Sequence, residues 1–128
     1  MKNVAKFLIY SCAVLITVLA SCSPGAPAEE AGTAFSINQS CDISRNGVRL
    51  IMSYDKVSAS FKGTVENIST GSISAVRVEI HLDNGVELGP TPNISLNASE
   101  KKQVTLDASG QSFTRWTPHS ETGTGGGV

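Results

Sequence analysis

The side chains whose types and spacing could do chemistry gather near two places in this sequence. Glu79 and His81 stand two residues apart within the run Ala75 to Asp83. If that run is a strand, residues i and i+2 point to one side, so the carboxylate and the imidazole share a face. Trp116, His119 and Glu121 cluster near the C-terminal end. A last strand laid beside the first would bring His119 to Glu79 and His81. Two imidazoles and a carboxylate form a donor set suited to zinc or copper. Alternating charges on a wet strand face are the commoner reason for such a pattern, and the spacing alone compels no metal or other cofactor.

Trp116, the one tryptophan, has two readings. It closes one end of a core, or it forms a partly exposed platform for a sugar or a partner side chain, flanked by Arg115 and His119. Catalysis finds less support. No serine sits in a Gly-x-Ser-x-Gly turn or beside a histidine in a nucleophile–base motif. Glu79 and Glu87 could face each other across a hairpin, but such carboxylate pairs are usually just solvated. The chain is therefore read as a non-enzyme. Asn67, Asn93 and Asn97 each open an Asn-x-Ser triplet and are expected to serve turns.

The start of the chain reads as an address. Lys2 and Lys6 form a basic n-region, and Phe7 to Ala20 is almost uninterrupted apolar chain. That is a secretory h-region, shorter than the roughly 20 apolar residues of a bilayer-spanning helix. It ends in Leu19-Ala20-Ser21-Cys22, which resembles the bacterial lipobox. The resemblance implies cleavage before Cys22, a diacylglyceride on its sulfur and an acyl chain on its new amine. Three acyl chains exceed the two signals that stable anchoring takes. Ser23 stands where an aspartate would resemble an inner-membrane retention signal, so a double-membraned bacterium would place the protein on its outer membrane. Cys12 leaves with the signal and Cys22 is alkylated, so Cys41 stands alone, most simply as a small core residue, with an intermolecular disulfide or a reactive thiol as the alternatives.

Cleavage at that point leaves eight Lys and Arg against eleven Asp and Glu. No basic patch suggests nucleic acid, and the membrane link is the lipid rather than charge. Residues 1–21 are thus a signal peptide, and 22–33 a lipidated cysteine with a Ser-, Pro-, Gly- and Ala-rich flexible tether. Residues 34–120 are one domain, and 121–128 a glycine-rich disordered tail. The expected partners are the membrane, through Cys22, and an envelope protein or glycan.

Period-two alternation dominates the domain. Val76, Val78, Ile80 and Leu82 face one way, and Arg77, Glu79, His81 and Asp83 the other. Val57, Ala59, Phe61, Gly63 and Val65 are expected inward, and Ser58, Ser60, Lys62, Thr64 and Glu66 outward. The short break at 67–72 predicts that these two strands pair antiparallel. Asn84-Gly85 predicts a type I′ hairpin into Val86–Leu88. Pro90 and Pro92 then stop the ladder at an edge or a crossing between sheets. Lys102–Ala108 and Ser112–Thr117 read as later strands, with Phe35–Gln39 and Val48–Tyr54 as weaker upstream ones. Seven short strands predict a small all-β fold, an immunoglobulin-like antiparallel β-sandwich.

Phe61-Lys-Gly-Thr-Val-Glu-Asn67, Val76-Arg-Val-Glu-Ile80, Leu96 and Val104-Thr-Leu106 resemble the FxLYD type of bacterial extracytoplasmic domain. They are also similar to adhesion-type immunoglobulin-like modules. Ile51-Met-Ser-Tyr54-Asp55 stands where the FxLYD motif itself would be. The resemblance covers about half the chain and implies a non-catalytic module, with no functional residues carried over.

Overall fold

The computed structural model describes residues 32–123. The expected signal peptide, Cys22 with its tether as far as residue 31, and the tail beyond Gly123 lie outside the described residues.

All regular structure among the described residues is strand. In chain order the strands are β1 (Phe35–Ser36), β2 (Cys41–Arg45), β3 (Val48–Asp55), β4 (Ser60–Asn67), β5 (Ile73–Leu82), β6 (Glu87–Leu88), β7 (Ile94–Leu96), β8 (Lys101–Asp107) and β9 (Arg115–Glu121). One sheet runs β2-β3-β4-β8; the other runs β1-β9-β5-β6, with β7 also on β5. Every pairing is antiparallel. This is the two-sheet sandwich that the alternation predicts, with nine strands rather than seven.

The inward rows bury the core. Val76, Val78 and Ile80 of β5 are fully buried, as are Val48 and Leu50 of β3, Phe61 and Val65 of β4, and Cys41 of β2. Trp116 lies against Phe61 with ring centroids 4.9 Å apart, and Phe113 touches both Phe61 and Tyr54. These aromatic pairs, each favourable beyond the area it buries, close one end of the sandwich.

Three expectations change. First, β4 and β5 do not pair; they belong to opposite sheets. The side chain of Asn67 decides this. It is fully buried, and its amide donates to the carbonyls of Gly71 (2.8 Å) and Leu96 (3.1 Å). Its oxygen accepts from the Ser69 backbone N–H (2.9 Å) and hydroxyl (2.7 Å). Residues 67–72 are thereby folded into a crossing that delivers the chain to the other sheet. Second, Val57 and Ala59 are not inward strand residues. Asp55 accepts from the Val57 N–H, the Ser58 hydroxyl and Lys62 Nζ, and this turn overrides the alternation. Val57 is 98% exposed, Ala59 has φ 47°, and Ser60, expected to be wet, is buried.

Third, Asn84-Gly85 makes a different turn. Gly85 N–H donates to the Leu82 carbonyl, and only Gly85 has positive φ. That is a type I turn closed by a left-handed glycine. The type I′ geometry belongs instead to Asn46-Gly47, where both φ values are positive (51° and 79°) between paired Arg45 and Val48. β2, which this turn joins to β3, is one of the two strands that alternation alone misses. The other is β7, which continues the β6 edge along β5 after Pro90 and Pro92. The prolines therefore mark an edge, where a missing N–H costs little.

Asn67→Ala should lower stability by roughly 2–4 kcal/mol, since it strands the buried Leu96 carbonyl and releases the crossing. Urea unfolding with an unchanged m-value checks this; a loss under about 0.5 kcal/mol would contradict the role given to Asn67.

Candidate functional site

The outer face of β5, β6 and β9 carries the residues singled out for chemistry. On β5 the outward row is Arg77, Glu79 and His81. The long register with β9 sets Arg77 opposite Glu121, Glu79 opposite His119 and His81 opposite Thr117. On the other flank β6 sets Glu87 opposite His81. Facing pairs in a sheet share a side, so these side chains lie on one surface.

Two devices hold that register. The Asp83 carboxylate accepts from the backbone N–H groups of Thr114 and Arg115, both at 3.0 Å, and from the Thr114 hydroxyl. These bonds, that of the hydroxyl first, keep its pKa below the usual carboxylate range. They tie the β5–β6 turn to the start of β9. Asp83 N–H also donates to the Arg115 carbonyl. Alternate residues 115, 117 and 119 therefore bond towards β5, and Pro118 falls where no donor to β5 is needed. A proline inside this strand costs the ladder nothing. At the far end Arg77 pairs with Glu121 and bonds the Gly123 carbonyl, so the ordered domain runs past residue 120.

The geometry at the centre is close. Ligand atoms of Glu79, His81 and Glu87 all lie within 4.8 Å of one another. The His81 and His119 rings are 4.8 Å apart between centroids, edge to face at 81°. His81 and Glu79 are half-buried, Glu87 is exposed, and His119 is buried. Glu79 has its pKa raised, first by burial and then by the neighbouring Glu121 and Glu87 carboxylates, with Arg77 and His81 acting the other way.

A scan of family models, a search of curated proteins and a search of solved structures each found no match to this chain.

The expected residues thus divide. Glu79, His81 and His119 come together because β9 lies beside β5, which the spacing left open, and Glu121 lies one row further along, engaged with Arg77. Trp116 does not join them. It points to the opposite side of β9, is 1% exposed, and donates its indole N–H to the Ser36 carbonyl at 3.0 Å. The partly exposed platform is corrected to a core residue, because β1 and the Phe35 ring, 5.4 Å away, cover it. From the sequence, Glu87 stands out only as a carboxylate partner of Glu79. The hairpin signal at Asn84-Gly85 could have found it, since a short loop there lays residue 87 beside residue 81. His119 also borders a groove of about 360 Å³ between the β2 and β9 edges, lined by Ile43, Arg45, Pro118 and Ser120 among others.

Cys41 lies apart from this surface, fully buried on β2. Burial is the main reason its thiol is pushed up to about 11. A thiol that must stay neutral in the native state is a poor nucleophile at neutral pH. Native protein should therefore resist thiol reagents at pH 7–8 and react once unfolded. The stability held by the neutral thiol is intact below its unfolded pKa of about 9 and fades as pH rises towards 11. Rapid stoichiometric labelling of native protein would contradict this burial.

Proposed function

We propose that the chain is a bacterial lipoprotein, cut before Cys22 and held on an extracytoplasmic membrane surface by its lipid. Its sandwich works there as a non-catalytic interaction or structural module of the cell envelope. In a double-membraned bacterium the outer membrane is the expected site, because Ser23 follows the cysteine. The likeness of Phe61–Asn67 and Val76–Ile80 to FxLYD-type and adhesion-type modules agrees with this reading.

The observation that carries the module reading is how the polar side chains are used. Asp55, Asn67, Asp83 and Asp107 each hold a turn or crossing through bonds to nearby backbone. On the outer face of β2-β3-β4-β8, Arg49 pairs with Asp42 and Glu66, and Lys101 with Glu66. These residues spend their polar groups on structure, which leaves sheet faces of the kind that present a surface rather than enclose a substrate. Residues 22–31 span at most about 35 Å when extended, so a lipid on Cys22 keeps those faces near the bilayer.

A second reading, a ligand-binding lipoprotein, is favoured by the meeting of Glu79, His81 and Glu87. With Trp116 buried, glycan stacking loses its platform and the ligand falls to the polar cluster.

In-cell crosslinking followed by purification and mass spectrometry tests the proposal. The bait should carry lipid on Cys22 and bring a reproducible envelope protein, lost when Glu79, His81 and Glu87 are replaced together. An unmodified Cys22 would overturn the lipoprotein assignment; a bait that repeatedly returns alone would overturn the interaction module.

A further inference from the structure

The two outer sheet faces treat charge differently. On β2-β3-β4-β8 the signs alternate across four strands, from Asp42 to Arg49 to Glu66 to Lys101, and each neighbour is a counter-ion. On β5, β6 and β9 three carboxylates gather, and Arg77 is engaged with Glu121. Among the described residues, neither Glu79 nor Glu87 forms an ion pair with a lysine or arginine. The face holds two carboxylates without a salt-bridge partner among the described residues, flanking an imidazole.

We infer that Glu79, His81 and Glu87 bind one divalent late first-row transition ion, zinc or copper(II). This deepens the ligand-binding reading and does not depend on the lipid anchor. Two carboxylates and a neutral imidazole supply two negative charges, which one such ion balances. The imidazole selects against magnesium and calcium, which prefer oxygen donors alone.

Distance is compatible with this. At metal–ligand bonds of about 2.1 Å, tetrahedral donors lie roughly 3.4 Å apart. The present spacing of up to 4.8 Å therefore needs a contraction of about 1.4 Å, within reach of glutamate rotamers. The backbone beneath is already set. His81 and Glu87 are cross-strand partners, and Glu79 is two residues from His81 on the same strand. His119 packs edge-on against His81, so the imidazole is held on one side. Three protein donors leave a further coordination position for water.

The test is equilibrium dialysis of the full-length protein as purified from cells, chelator-stripped, against Zn²⁺ or Cu²⁺. One ion per chain should bind, undisplaced by excess Mg²⁺ or Ca²⁺. His81→Ala and Glu87→Gln, both at non-core positions, should each weaken binding at least tenfold with unchanged thermal unfolding. The Cu²⁺ complex should show nitrogen superhyperfine coupling in electron paramagnetic resonance, reduced in His81→Ala. His119→Phe keeps a flat ring against His81, and retained binding there supports the three-donor set. Overturning results are no ion above background, equal binding by His81→Ala and Glu87→Gln, or a tenfold loss in His119→Phe. An unmodified Cys22 with binding intact would sink the lipoprotein assignment alone.

Discussion

A side-chain amide buried away from water must find its partners inside the protein, and Asn67 finds four. Its position makes that requirement architectural. Asn67 ends β4 in one sheet, while Leu96, which accepts from its amide, lies on β7 in the other. Its own N–H and carbonyl bond Glu100 and Ser99 just before β8 begins. One residue thus fixes the exit from β4, the approach to β5 and the entry into β8. A half-satisfied arrangement would cost about as much as several methylene groups of core burial, so alternatives are disfavoured.

That constraint reaches the outer surface. Once the chain crosses at Asn67, β5 must pair with something other than β4, and it takes β9 on one flank with β6 and β7 beside it. This pairing, held by Asp83, brings His119 opposite Glu79, while the local β5–β6 hairpin sets Glu87 opposite His81. The polar cluster therefore joins a local hairpin to a histidine that the crossing delivers. The opposite sheet, with its alternating charges already paired, offers no comparable concentration of one sign.

Much of this was legible where a single physical signal dominates. Period-two alternation located β5 and β8 and assigned the buried and wet rows of β5, because one side of that strand meets the core. It failed at Val57, where the Asp55 carboxylate holds a turn that apolar periodicity cannot register. Pairing was not legible either, since a six-residue break reads the same whether it closes a hairpin or crosses between sheets. Asn46-Gly47 was as strong a turn signal as Asn84-Gly85, and using it would have revealed β2. For the site, the i and i+2 placement of Glu79 and His81 was plain from the strand. The burial of Trp116 was one of two readings, and the choice between them depends on β9 register and on the short β1 strand above it.

Site-resolved photo-crosslinking in living cells tests most directly whether the outer face of β5, β6 and β9 is the working surface of an otherwise structural sandwich. A photoreactive residue would be placed either at position 117, opposite His81 on that face, or at position 103, exposed on β8 of the other sheet. The account predicts discrete adducts from position 117 and background from position 103. Equal adducts from both positions, or adducts from position 103 alone, would contradict it.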